Sequence, residues 1–117
     1  MTELVTEPFR TIGRGAAIAN GDIVPHYLAD LKRRISVARV DDRLYAFDDL
    51  CACAREPCPL SGGLLTGTTL MCQCHGSRFD IATGAVIDGP ATQALHVYDV
   101  QEIDGSVRVR LDRAPTR

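Results

Sequence analysis

The chain has no tryptophan and only three tyrosines and three phenylalanines in 117 residues. That is too few aromatic faces for a platform that stacks single-stranded nucleic acid. Net charge is small, −2, so the basic footprint of a DNA- or RNA-binding domain is missing as well. No apolar run approaches the roughly 18 residues of a membrane span. The first eight residues are acidic and carry neither an apolar signal-peptide core nor a twin-arginine motif. The expectations are therefore no nucleic-acid partner, no membrane, and a cytoplasmic location where thiols stay reduced. Helical periodicity, internal repeats, low-complexity tracts and linkers are also lacking. At this length, residues 1–117 are expected to form one domain.

What the chain does have is many short alternating segments separated by turn residues. Phe9-Arg10-Thr11-Ile12 reads as a first strand. Pro25 confines a strand over Ile23–Tyr27 to an edge or a bulge, and Tyr27–Lys32 is expected to make a short helical turn. Arg34–Val40 alternates with period two, turns at Asp41-Asp42-Arg43 and returns through Leu44–Phe47. Thr69–Cys72 reads as a short strand. Ser77–Ile81 and Ala85–Ile87 flank a turn at Thr83-Gly84. Ala94–Ile103 and Ser106–Leu111 flank Asp104-Gly105, a strong hairpin pair. The fold class is all-β, an antiparallel sandwich or barrel.

All five cysteines lie between positions 51 and 74. Cys51-x-Cys53 and Cys72-x-x-His75 together offer three thiols and one imidazole, soft donors suited to zinc or to an iron–sulfur cluster. Clustered thiols in a reducing compartment favour metal or redox chemistry over a disulfide framework. Cys51-x-Cys53 is tighter than the usual zinc knuckle.

The flanking residues resemble the Rieske [2Fe–2S] domain family over nearly the whole chain, from the strand at Phe9 to the strand ending at Leu111. The most specific match is Cys72-Gln73-Cys74-His75-Gly76-Ser77-Arg78-Phe79-Asp80, followed by Thr83-Gly84-Ala85-Val86 and Gly89-Pro90-Ala91. These look like the family's second cluster loop and its proline loop. Cys58-Pro59-Leu60-Ser61-Gly62-Gly63 resembles the end of its first loop. The resemblance implies a Rieske-like β-fold with a small inserted cluster-binding subdomain, its loops at about 50–63 and 72–80. It also implies a [2Fe–2S] cofactor and one-electron transfer as a stand-alone ferredoxin, between a reductase and an oxygenase or other terminal enzyme. The chain itself would not be an enzyme. Cys58 and Cys74 occupy positions that form a disulfide in high-potential members.

The first loop departs from the family pattern, which has Cys-x-His there; no histidine lies between His26 and His75. Aligned from Asp48-Asp49-Leu50, Cys51 and Cys53 take the ligand positions, with Cys72 and His75 from the second loop. Aligned from Cys58-Pro59-Leu60, Cys53 takes the Cys position and Arg55 the His position. Arginine stays protonated and cannot ligate iron, so the first alignment is preferred. A Rieske fold that lacks the cluster or binds zinc, and serves interaction or regulation, is the alternative.

The remaining candidates have plainer readings. His26 and His96 are expected at the surface. Asp48, Asp49 and Asp80 are expected in strand-end and turn roles, because no nucleophile and base accompany them. Lys32-Arg33-Arg34, with Arg39 and Arg43, reads as a solvated strand edge or as a contact for an acidic partner.

Overall fold

A computed structural model describes residues 9–49, 59–74, 76–89, 91 and 93–111. In chain order the strands are β1 (Phe9–Arg14), β2 (Ile23–Leu28), β3 (Arg33–Val40), β4 (Arg43–Asp48), β5 (Leu64–Thr66), β6 (Thr69–Met71), β7 (Arg78–Asp80), β8 (Val86–Asp88), β9 (Val97–Tyr98), β10 (Val100–Ile103) and β11 (Ser106–Arg110). They pair antiparallel in three sheets, ordered β1-β11-β10, β2-β3-β4-β9 and β5-β6-β7-β8. No α-helix occurs among the described residues, only single 3₁₀ turns at Gly15–Ala17 and Leu60–Gly62.

The hairpin β3–β4 is the middle layer. Ile35, Val37 and Ala46 face one way and pack with Val107 and Val109 of the β1-β11-β10 sheet. Ala38 and Phe47 face the other way and pack with Leu70 and Phe79 of the β5–β8 sheet. Ser36 and Ala38, on the face opposite Ile35 and Val37, are also fully buried, because a second sheet covers that face. Phe47 and Phe79 have no exposed surface, and burying a side chain of this size contributes about 1.5–3 kcal/mol.

The turns follow from residue type. Asp41 and Asp42 both have positive φ, 50° and 68°, as do Asp104 and Gly105, 52° and 80°. Two consecutive left-handed residues give the hairpin twist that matches the strands. Asn20 braces the first of these turns: its Oδ1 accepts from the Asp42 N–H at 2.8 Å.

Three expectations change. Tyr27 and Leu28 belong to β2, and residues 29–32 form a hairpin turn with Lys32 at φ 50°, not a helical turn. The segment 94–103 is two strands. It breaks at Asp99 because β9 pairs with β4 while β10 pairs with β11, so the chain changes sheets there. Finally, β3 is an interior strand, with β2 on the edge, so its arginines do not line a solvated edge. Arg34 bonds Asp49, and Arg39 bonds the Ile18 and Gly15 carbonyls and Glu102.

His26 is half-buried on β2, with its Nε2 where a methyl on Gly13 would come to 2.9 Å. Its Nδ1 is buried with no hydrogen-bond partner among the described residues. Burial pushes the imidazole below its ordinary value. An unfolded histidine titrates near 6.5, so the unfolded chain takes up this proton first as pH falls. Stability is therefore expected to decline below about pH 6.5. Thermal unfolding of wild type and His26→Gln between pH 7.5 and 5 checks this; the variant should lose the histidine's share of the slope.

Candidate metal centre

The second cysteine loop is the connection between β6 and β7. Cys72 follows β6 directly and is 1% exposed, in the same apolar cluster as Leu60, Leu70, Phe79 and Ala91. Its N–H donates to the Ser77 carbonyl at 2.7 Å, and the Gly76 N–H donates to the Cys72 carbonyl at 2.9 Å. Gly76 has φ 78°, a left-handed conformation that closes this tight reversal. The reversal holds Cys72 inward and leaves Gln73 and Cys74 exposed.

The first cysteine loop is described only at its two ends, and these meet. The Leu60 N–H donates to the Asp49 carbonyl at 2.6 Å, and the Ser61 N–H donates to Asp49 Oδ1 at 2.7 Å. The exit of this loop also lies on the second loop. A methyl on Gly63 would collide with the Met71 carbonyl oxygen, and one on Gly62 would lie 2.6 Å from Gln73 Nε2. The backbones therefore approach as closely as glycine allows. A third loop joins them: the Ala91 N–H donates to the buried Ser77 Oγ at 2.9 Å.

Cys51, Cys53, Cys58, His75 and Pro90 lie outside the described residues. Among the described residues no three metal-ligating side chains converge. What is described fits an iron–sulfur cluster: a buried thiol in an apolar cluster, with the exit of the first loop packed against the second and Ala91 bonded to the second. The donor set of thiols and imidazole has matching chemistry.

Near the first loop, Asp48 and Asp49 do have strand-end roles, more specific than residue type could reveal. Asp48 Oδ1 accepts from the Tyr98 hydroxyl. The Tyr98 hydroxyl is pushed well above its ordinary value by burial and by Asp48. Arg33 lies 6.0 Å from the Tyr98 ring centroid. Asp49 is fully buried among Arg34, Ser36 and Ser61. Asp80 Oδ1 accepts from the Ala82 N–H in the turn after β7. His96 is half-buried, its ring edge-on to Tyr98 at 4.5 Å, so it is less exposed than a strand-surface histidine.

Comparison with known proteins agrees with this geometry. Residues 11–99 match the Rieske [2Fe-2S] domain. Ferredoxin CarAc of Metapseudomonas resinovorans is 36% identical over 75 residues, 64% of this chain and 68% of that protein. The ferredoxin component of the naphthalene 1,2-dioxygenase system of Pseudomonas aeruginosa is 34% identical over 80 residues, 68% of this chain and 73% of that protein. Among solved structures, the Sphingomonas yanoikuyae B1 ferredoxin superposes with a TM-score of 0.77 at 30% identity, covering 90% of this chain and 98% of that one. A chain from the oxygenase–ferredoxin complex of carbazole 1,9a-dioxygenase superposes with a TM-score of 0.81 at 27% identity, covering 93% and 98%. The chain belongs to the Rieske [2Fe–2S] domain family.

Proposed function

We propose that this protein is a Rieske-type ferredoxin that carries single electrons from a reductase to a terminal oxygenase. The observation that carries the reading is its similarity to ferredoxins, across 98% of a solved ferredoxin chain and in sequence to the ferredoxin components of naphthalene and anthranilate 1,2-dioxygenases. The bound [2Fe–2S] cluster supplies one reversible electron. The chain's part is to hold it, to set its charge environment and to present it to partners. Residues 1–117 would act as one iron–sulfur domain, working in the cytoplasm.

The ligands would be Cys51 and Cys72 on one iron, with Cys53 and His75 on the other. Cys53 would stand where the family has a second histidine. The His75 side would face the partners. A brown protein with visible absorption and a rhombic electron paramagnetic resonance signal on reduction is the expected result. Turnover of a purified dioxygenase with its reductase should depend on it. A colourless protein with zinc, or with no metal, would replace this reading by an interaction module.

Cys58 and Cys74 would form a disulfide between the first two loops. What supports this is position: the two cysteines stand where high-potential members of the family form such a bond. Alkylation of the metal-stripped, unfolded chain should label two more thiols after reduction than before it. Equal labelling would show both as thiols.

A further inference from the structure

We propose that Asp49 is a positioning residue for the cluster, a clasp that closes the neck of the first cysteine loop and thereby sets where Cys51 is presented. Its carboxylate has no exposed surface. Four donors converge on it. Arg34 Nε donates to Oδ2 at 2.5 Å and Ser36 Oγ to Oδ1 at 2.7 Å. The Ser61 N–H donates to Oδ1 at 2.7 Å and Ser61 Oγ to Oδ2 at 3.3 Å. Its main chain is fixed too: the Asp49 N–H donates to the Arg34 carbonyl at 2.9 Å, and its own carbonyl accepts from Leu60 at 2.6 Å. One residue thus bonds the central strand β3 and the turn that receives the chain after the loop.

The chemistry selects a carboxylate. A carboxylate only accepts, and every neighbour here donates. Asparagine would turn an N–H₂ toward a donor and leave one neighbour unpaired. Asp48 is held on the opposite face of the same layer by the Tyr98 hydroxyl and by the His96 carbonyl, which accepts its N–H at 3.0 Å. The strand end that delivers the chain to Cys51 is therefore fastened on both sides. Ten residues leave at Asp49 and return beside it at Leu60. Ligands supplied by that loop would be tethered to this neck at both ends.

The inference rests on the proposed ligand role of Cys51, and its test separates the two. Holo-protein variants Asp49→Asn, Ser36→Ala and Cys51→Ala are compared with wild type. The readouts are the rate of iron loss to a chelator, the g-values of the reduced cluster and thermal unfolding. Asp49→Asn should lose iron about tenfold faster, the scale of one lost charge-assisted hydrogen bond, with shifted g-values. Ser36→Ala, which keeps the Arg34 and Ser61 contacts, should shift both in the same direction by less. Wild-type release and g-values in Asp49→Asn overturn the clasp, even if its melting temperature falls. If that variant does not fold, wild-type values in Ser36→Ala overturn it instead. A Cys51→Ala protein that keeps its cluster overturns the ligand assignment alone.

Discussion

Cys53→Ser is expected to empty the protein of its visible chromophore, whereas Cys53→His is expected to keep the cluster and raise its potential. The argument is electrostatic. An additional thiolate in place of a neutral imidazole adds negative charge, which opposes the arrival of an electron. Rieske centres span about −150 to +300 mV and plant-type all-cysteine centres lie near −400 mV. Three cysteines and one histidine should fall between these ranges. Restoring the family pattern with Cys53→His should lift the midpoint by about 100 mV or more, into the Rieske range. Proton coupling should change with it. One imidazole gives a one-proton slope, roughly 59 mV per pH unit for one electron, above the oxidised-state pKa; two imidazoles give a steeper one. Protein-film voltammetry across pH reads both quantities. A wild-type midpoint above about 0 mV, inside the Rieske range, or an unchanged potential in Cys53→His, would remove Cys53 from the ligand set.

Gly63→Ala should separate the two cysteine loops. The new methyl meets the Met71 carbonyl oxygen of β6 and lies 3.1 Å from the Leu60 carbonyl. Both obstacles are backbone, so no side-chain rotation relieves them. The turn at Leu60–Gly62 must lift away from β6, and Leu60, fully buried, must lift with it. We expect a loss of about 3 kcal/mol, the upper end of overpacking costs, and a melting temperature lower by about 10 °C or more. Iron content per chain should fall by more than half. Gly62→Ala is the control. The methyl there meets only the Gln73 side chain, which can swing aside, so iron content should stay near wild type. Equal behaviour of the two variants would show that the backbone approach at Gly63 is unimportant.

The strands were largely legible because each is short, alternating and bounded by residues that tolerate positive φ. Asp41-Asp42 and Asp104-Gly105 announce their hairpins through local chemistry alone. The break at Asp99 was hard to read, since no glycine, proline or asparagine marks it and the only signal is a slip in the alternation, from Leu95 and Val97 to Val100, where the chain changes sheets. The burial of Ser36 and Ala38 could not be read from the alternation alone. Small residues at alternate positions suit solvent, and they also suit a close second layer; only the tertiary arrangement decides. Cys72 stood out by residue type and motif. The part played by Asp49 did not, because its partners Arg34, Ser36 and Ser61 come from separate segments that the fold alone brings together.

Cys72 belongs to the apolar cluster that also contains Phe47 and Leu95. The proposed cluster ligand is thus also a structural core residue, and at 1% exposure its thiol is closed off by the packed β5–β8 layer. With Cys72 as a ligand, loading the cluster would require that layer to be open, so cluster binding and the closing of the β5–β8 sheet would be coupled.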